Sequence, residues 1–282
     1  MIAVITDSTC DIPDPLLRDL GIEVVPQYVI WGDKQYRDRL DIEPAAFYQR
    51  LSTEVEKPRS SQPGVADFQQ AYERAANNGA DELVVVTISS TLSGTYENAR
   101  RAAQDFSLPV TVVDSTGTSM GMGWQVLAAA RAARSGMDTR GILEKIDHVR
   151  RRITQIAGLD TLEYLNKGGR IGAAVKWAGT MLKVKPLVAF NVLTNLVEPV
   201  GLVRTYTSMV ETLYRKFFER VKGIANLRVA VLHGGARAQA EALAERVRAE
   251  YHPLELFVNS TGPVVGLHTG PGALGLCGYV DE

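Results

Sequence analysis

The sequence has few of the residues that bind metals or form disulfides. It contains 2 cysteines and 4 histidines among 282 residues. The cysteines, Cys10 and Cys277, are too few for a disulfide framework or a thiolate metal site, and they suit a reducing compartment. We therefore expect a cytoplasmic protein without a metal or a cofactor.

The sequence also lacks an excess of charge of either sign and any long apolar run. Its formal net charge is -1, which gives no general attraction for the phosphates of nucleic acid or of a membrane surface. No apolar run approaches the roughly 20 residues that cross a bilayer. The N-terminal stretch MIAVITDST has no basic flank, so it is interpreted as a first strand and not as a signal peptide. We expect neither a nucleic acid partner nor an integral membrane segment.

Several catalytic fingerprints are missing as well. The sequence has no G-x-S-x-G nucleophile elbow, no Walker A loop, no strand-linked G-x-G-x-x-G and no histidine or cysteine spacing suited to zinc. Machinery for making or breaking bonds is hard to assemble from what remains. These absences favour a binding protein over an enzyme.

The first half of the chain repeats one unit, which is a short apolar run, a polar loop and a helix-like segment. The apolar runs are IAVIT from Ile2, ELVVVTI from Glu82 and VTVVD from Val110. Continuously apolar runs are typical of strands that are covered on both faces. The pattern predicts an α/β fold in which helices flank a parallel sheet.

The second half predicts a mixed α/β domain. The segment LVAFNVLTNLVEPVGLVRT looks like a hairpin that turns at Leu193 to Asn195, and VVGLHTGPGALGLCGYV is predicted to supply the last strands. We place the domain boundary near residue 150, giving domains 1–150 and 151–282. No long linker separates them, so we expect close packing with a ligand cleft between the two domains.

Two helix starts are predicted in this half from capping-box spacing. Asp160 with Glu163, and Ser208 with Glu211, each have the separation at which two side chains cap one helix reciprocally.

The loop VTISSTLSGTY follows one predicted strand and precedes a helix, where parallel sheets bind ligands. Its five hydroxyl groups are potential hydrogen-bond donors, and Gly94 allows close backbone approach: Ser89, Ser90, Thr91, Ser93 and Thr95. The alternative is that they only cap the helix. One cap needs one hydroxyl, so the loop indicates a site for a carboxylate or a phosphate.

Two further clusters have similar chemistry. Ser60 and Ser61 precede Pro63 and a helix-like segment, which by themselves would indicate an ordinary helix start. His268 stands among glycines near the C-terminus, where it is either a structural residue or part of a site that a ligand approaches closely.

Six motifs occur in order over nearly the whole chain: TDSTCDIP, SSQPGVADF, TLSGTY, VVDSTGTSMGMG, LEYLNKGGRIG and LHTGPGALG. Together they resemble the DegV family. The resemblance implies a two-domain α/β protein that binds a long-chain fatty acid such as palmitate. In some family members this protein is the binding subunit of a bacterial fatty acid kinase, whose other subunit phosphorylates the acyl carboxylate.

The resemblance also implies roles for individual residues. Ser60, with Ser61 as its neighbour, matches the hydroxyl that contacts the carboxylate. Ser93, followed by Gly94 and Thr95, matches a second carboxylate-binding hydroxyl.

His268 matches a histidine near the head group, and Arg204 matches an arginine that some members use to contact the kinase. The expected function is therefore to shield the acyl chain and to present its carboxylate to a kinase subunit. Two alternatives stay open, which are an enzyme acting on a small phosphorylated or carboxylated metabolite in the same cleft and a regulatory module that senses lipid.

Overall fold

The computed structural model describes residues 1–180, 184–192, 194–221 and 223–281, with the backbone alone described for 178–180. The strands are β1 (Ile2–Asp7), β2 (Glu23–Val25), β3 (Tyr28–Trp31), β4 (Lys34–Arg37), β5 (Arg59–Ser61), β6 (Glu82–Thr87), β7 (Val110–Asp114), β8 (Thr154–Gly158), β9 (Lys185–Asn191), β10 (Leu196–Val203), β11 (Leu227–His233), β12 (Glu255–Ser260) and β13 (Leu274–Val280).

The α-helices are α1 (Asp14–Asp19), α2 (Pro44–Thr53), α3 (Val65–Asn77), α4 (Thr95–Gln104), α5 (Met120–Arg134), α6 (Thr139–Arg150), α7 (Glu163–Lys167), α8 (Tyr206–Arg220), α9 (Arg237–Tyr251) and α10 (Pro263–Thr269). Short 3-10 helices cover Ser8–Cys10 and Gly172–Thr180.

The N-terminal half is built on a parallel sheet with strand order β2-β1-β6-β7. Helices α3 and α4 cover one face, where Phe68 and Tyr72 pack on Ile5 and Val85. Helices α5 and α6 cover the other face. The three apolar runs of the sequence are β1, β6 and β7, so the predicted parallel sheet flanked by helices is confirmed.

A second, smaller sheet with order β4-β3-β5 lies between β2 and β6 in the chain, and both of its pairings are antiparallel. It packs with α2 and with α10 from the other half, through a cluster that includes Val29, Phe47 and Leu267. The sequence analysis did not predict this sheet.

The C-terminal half is built on a mixed sheet with order β10-β9-β8-β13-β11-β12. Only β11 and β12 run parallel among its pairs, and the other neighbours are antiparallel. Strands β9 and β10 form the predicted hairpin, in which Asn195 has a left-handed φ of 58°. Leu193, the first residue of the predicted turn, lies outside the described residues.

Helix α5 connects the two halves because it is apolar on almost every side. A helix of this kind has to be covered all round. One side packs on Val4 and Val84 of the parallel sheet, and Trp124 stacks on Phe257 with ring centroids 5.1 Å apart. The Trp124 ring also meets Tyr279 edge to face. The two sheets therefore share one helical layer, and the boundary near residue 150 stays a prediction.

Both predicted capping boxes are wrong. The backbone N–H of Glu163 donates to Thr161 Oγ1, while the Asp160 carboxylate pairs with Lys185. These partners lie outside the box because Asp160 sits at the surface beside the first residue of β9.

Helix α8 is capped by Thr205, whose Oγ1 accepts from the N–H of Ser208 at 3.1 Å, and Glu211 pairs with Arg246 on the neighbouring α9. The cap therefore lies three residues earlier than predicted. The described residues contain no helix of the length and apolar character needed to cross a membrane.

Candidate functional site

A mostly apolar cavity lies between the parallel sheet and the mixed sheet. It encloses about 1160 Å³ of space, with the open mouth included. The loops after β6 and β7 form one side, and β8, β9, β10 and β13 form the other. Its apolar lining includes Leu92, Leu159, Leu165, Val188, Phe190 and Val197. The location agrees with the predicted ligand cleft between the halves.

Ser60 and His268 lie together at the polar end of the cavity. Ser60 is held on β5 opposite Val29, and His268 lies near the end of α10. Their side chains meet with Ser60 Oγ 3.2 Å from His268 Nε2. The segment VVGLHT, predicted as strand, is therefore helical, and this helix carries the histidine to the cavity wall.

Ser93 lines the same cavity from the loop before α4. Its Oγ lies 2.7 Å from Thr95 Oγ1 and accepts from the N–H of Thr95 at 3.3 Å. Thr95 is fully buried as the first residue of α4. It therefore orients the Ser93 hydroxyl and does not itself line the cavity.

Gly94 allows the Ser93 loop to approach the Ser60 segment. A Cβ atom at Gly94 would lie 2.6 Å from Nε2 of Gln62, so a side chain at position 94 would displace the flexible Gln62 amide. Gln62 also lines the cavity. The glycine thus brings the two predicted carboxylate-binding segments into contact, and the sequence analysis missed Gln62.

Two other hydroxyls of this loop have a structural role. Ser89 Oγ donates to Asn195 Oδ1 at 2.6 Å, and Thr91 Oγ1 donates to the Asn195 carbonyl at 2.8 Å. Asn195 lies in the β9–β10 turn, about a hundred residues away in the chain. The abundance of hydroxyls in this loop therefore serves both the cavity and the contact between the two halves.

The remaining predicted site residues lie elsewhere. Ser61 follows Ser60 on β5 and does not line the cavity, because successive strand residues point to opposite faces. Arg204 lies between β10 and α8, where it is exposed. Within the described ranges it forms no hydrogen bond or ion pair.

The His268 ring is neutral at physiological pH. Burial, together with a smaller effect from the positive charge of Arg170, lowers its pKa to about 4. Its Nδ1 is buried without a hydrogen-bond partner, close to the backbone of Gly168. The polar end of the cavity thus offers uncharged groups, Ser60, Ser93 and His268, with the cation of Arg170 nearby.

That cation, Arg170, was not singled out from the sequence, although it stands in the quoted motif LEYLNKGGRIG. Its Nε donates to the carbonyl of Leu92, and its Nη1 donates to the carbonyl of Gly168 at 2.7 Å. These contacts hold the guanidinium at the mouth, where it lines both the cavity and a shallower basin outside it.

Two buried carboxyl groups hold the start of α10, the helix that carries His268. Asp11 accepts from the N–H of Gly262 at 2.7 Å, and Asp38 accepts from the N–H of Val264 at 3.3 Å. Burial raises the pKa of Asp11 to about 6 and that of Asp38 to about 7, while Arg39 opposes both shifts. The orientation of α10 thus depends on residues of the N-terminal half.

The described residues contain no cluster of three or more histidine, cysteine, aspartate or glutamate side chains placed to hold a metal ion. The polar end presents hydroxyl groups and an imidazole ring, which can form hydrogen bonds to an anionic or polar group.

Comparison with known proteins gives consistent results. The DegV family model matches residues 1–281. A DegV domain-containing protein of Streptomyces coelicolor is 35% identical over 98% of this chain and 97% of its own length. A solved DegV family protein of Thermus thermophilus, described by its fatty acid binding, has a TM-score of 0.91 and 35% identity, with 99% of each chain covered.

The crystal structure of DegV from Bacillus subtilis, described as a fatty acid binding protein, has a TM-score of 0.90 and 28% identity, again with 99% of each chain covered. The agreement in sequence and in fold extends over both halves of the molecule. The chain belongs to the DegV family.

Proposed function

We propose that the protein binds one long-chain fatty acid, with the acyl chain in the cavity and the carboxylate at Ser60, Ser93 and His268. The observation that carries the proposal is the cavity itself, which is apolar over most of its wall and has the neutral hydrogen-bonding groups of Ser60 and His268 side by side in its lining. An amphipathic ligand with a single polar head matches that distribution. The fatty acid binding of the related Thermus thermophilus and Bacillus subtilis proteins supports it.

The energetics suit such a ligand. Each methylene removed from water contributes about 0.8 kcal/mol, so a sixteen-carbon chain gains on the order of 12 kcal/mol before ordering costs. Affinity therefore comes mainly from the chain. The hydroxyls of Ser60 and Ser93 then fix the position of the carboxylate by hydrogen bonds.

The test is mass spectrometry of the organic extract from protein purified under native conditions. We expect a fatty acid in about one-to-one ratio with the protein. The rival function, an enzyme that acts on a small carboxylated or phosphorylated metabolite, predicts a water-soluble compound in its place. Recovery of such a compound would overturn the proposal.

We further propose that the protein presents the carboxylate to a fatty acid kinase subunit and performs no catalysis itself. The mouth supports this role, because the basin outside it is lined by four cations, Lys57, Arg59, Lys167 and Arg170, and by one carboxylate, Glu163, which pairs with Lys167. A phosphoryl group would therefore meet net positive charge there. Ser60 and His268 line both the cavity and this basin. A carboxylate bound there is accessible to an incoming phosphoryl donor.

The presentation role predicts that the purified chain with ATP and fatty acid forms no acyl phosphate. Acyl phosphate should form only after a kinase subunit is added. Turnover of ATP by this chain alone, at a rate that survives repurification, would contradict the role.

A further inference from the structure

Helix α10, which carries His268, has no side-chain cap of its own. It has seven residues, Pro263–Thr269, and its N-cap residue is Gly262, which has no side chain to accept from the first N–H groups. A helix of this length is marginal without contacts to other segments. The acceptors for its start come from the N-terminal half of the chain.

One of these acceptors is Asp11, in the sequence motif TDSTCDIP. Its Oδ1 accepts from the N–H of Gly262 at 2.7 Å. Its backbone carbonyl accepts from Nδ2 of Asn259, three residues before Gly262, at 2.8 Å. The other buried acceptor, Asp38, meets the N–H of Val264 at the longer distance of 3.3 Å. Residue 11 thus attaches at two points to the segment that leads into α10.

The Asp11 carboxylate is itself fixed by residues of the N-terminal half. Ser119 Oγ donates to its Oδ2 at 2.5 Å, and Arg39 Nη1 lies 3.3 Å from its Oδ1. The Asp11 side chain has no exposed surface. The two contacts orient the carboxylate and supply a countercharge, without which a buried ion would be unfavourable. Gly262 is therefore attached to a well-held point of the N-terminal half.

The other end of α10 leaves the His268 ring little freedom to move independently of the helix. A Cβ atom at Gly168 would overlap the His268 ring, and a Cβ atom at Gly266 would overlap the Tyr48 side chain. Packing this close lets the ring move only with the helix. The 3.2 Å contact between His268 and Ser60 is at the long end of hydrogen-bonding range, so a displacement of about 0.5 Å would break it.

We propose that Asp11 is a positioning residue of the head-group site, which places His268 against Ser60 by holding the start of α10. The inference rests on the proposed function and adds to it a residue that acts through another one. Asp11 is not among the described residues that line the cavity, so its effect on a ligand is transmitted by His268. Its loss should affect recognition of the carboxylate and leave binding of the acyl chain intact.

The test compares hexadecanoic acid with its methyl ester by calorimetry on the delipidated protein. Asp11→Ala should weaken binding of the acid about five- to tenfold and change the affinity for the ester by less than about twofold, because the ester has no anionic head group. An equal loss for both ligands would show that Asp11 only stabilises the cavity, and it would overturn the inference. Failure of the native protein to bind either ligand would overturn the proposed function together with it.

A double-mutant cycle with His268→Ala tests whether Asp11 acts through the histidine. The contact that Asp11 positions is absent in His268→Ala, so adding Asp11→Ala should cause little further loss of acid affinity. Fully additive losses would contradict the inference. Asp11→Asn keeps a side-chain oxygen for the N–H of Gly262 and should bind the acid more tightly than Asp11→Ala does. The reverse order of affinities would also contradict the inference.

Asn259→Ala provides the same comparison if Asp11→Ala does not fold. It removes the second attachment and should weaken binding of the acid more than binding of the ester. An unchanged ratio of the two affinities would overturn the inference.

Asp14→Asn is the matched control for loss of a carboxylate beside Arg39, since Asp14 also pairs with Arg39 but is exposed. It should leave both affinities unchanged. A loss of acid affinity equal to that of Asp11→Ala would assign the effect to the charge of Arg39 and contradict the positioning role.

Discussion

Ser60 Oγ lies 3.2 Å from His268 Nε2, which joins residues 208 positions apart in the sequence. The serine is on a strand of the N-terminal half, and the histidine is on a helix of the C-terminal half. The polar end of the cavity therefore exists only when the two halves are packed together. Any change that alters their packing should also alter ligand binding.

Ser93→Ala should weaken fatty acid binding by about tenfold to a hundredfold, because a hydrogen bond to a charged group contributes roughly 1.5 to 3 kcal/mol. Calorimetric titration of the delipidated protein measures this loss. Ser90→Ala is the matched control, since Ser90 is exposed in the same loop and does not line the cavity. The methyl ester of the fatty acid has no negative charge, so it should bind the native protein and Ser93→Ala with similar affinity. If Ser93→Ala lowers only the melting temperature, the hydroxyl is a helix cap.

His268 should remain neutral in the ligand-free protein throughout the range from pH 5.5 to 8. Burial and Arg170 lower its pKa to about 4, whereas an unfolded histidine protonates near 6.5. The ring resonances in a two-dimensional NMR titration should therefore stay constant over this range. Because the folded protein resists protonation here, this group reduces the free energy of unfolding as pH falls from about 6.5 towards 4. A ring titrating with a midpoint near 6.5 would contradict the predicted burial.

Asp38 should make the protein less stable as pH rises from about 4 to 7. Its pKa is raised to about 7, chiefly by burial, so the folded state binds this proton more tightly than the unfolded state. The stabilisation is complete below the unfolded pKa and is lost as pH rises through the folded one. Asp38→Asn removes the titrating carboxyl group but keeps a side-chain oxygen that can accept from the N–H of Val264. Urea unfolding across this range should give a smaller decrease in stability for Asp38→Asn than for the native protein, and equal slopes would refute this assignment.

Ser89 and Asn195 should be energetically coupled. The hydrogen bond between Ser89 Oγ and Asn195 Oδ1, 2.6 Å long, joins the two halves. Asn195→Gly keeps the left-handed backbone and removes the amide, so the cycle with Ser89→Ala isolates the side-chain contact. We expect a coupling of about 0.5 to 1.5 kcal/mol by urea unfolding. A coupling near zero would mean that solvent replaces the contact without loss.

The sequence predicted the parallel sheet well because β1, β6 and β7 are continuous apolar runs between clear loops. It did not predict β2 or β5, which have three residues each and are too short for a periodic pattern. Helix α10 was predicted as strand because Val264 and Val265 begin a short apolar run, although Pro263 at the first helical position favours a helix. A short apolar run of this kind fits both structures.

The site was predicted unevenly for a related reason. The composition of the loop after β6 indicated many hydroxyl groups. The partner of each hydroxyl group could not be predicted, because the partners lie on segments that are distant in sequence. Ser89 and Thr91 contact Asn195, whereas Ser93 faces the cavity. Gln62 gave no signal, since a single glutamine is ordinary until its neighbours in the fold are known.

Arg204 provides the test of kinase contact. It is exposed between β10 and α8, and in the described part of the chain its guanidinium has no partner, so it is available to an acidic surface. Arg204→Ala should lower acyl phosphate formation by the added kinase subunit at least severalfold and leave fatty acid affinity unchanged, because the residue does not line the cavity. A rise in the concentration of binding protein needed for half-maximal rate would assign the loss to docking.

The matched control for this prediction is Arg220→Ala. Arg220 is also exposed and lies at the last residue of α8, on the order of 20 Å from Arg204 at 1.5 Å per helical residue. The control has the same loss of charge, so a general electrostatic attraction should affect both variants equally. A docking role for Arg204 requires that its substitution alone lowers the rate and that the effect weakens as ionic strength screens the contact. Equal losses in both variants, or a loss of fatty acid affinity with Arg204→Ala, would remove Arg204 from the proposed interface.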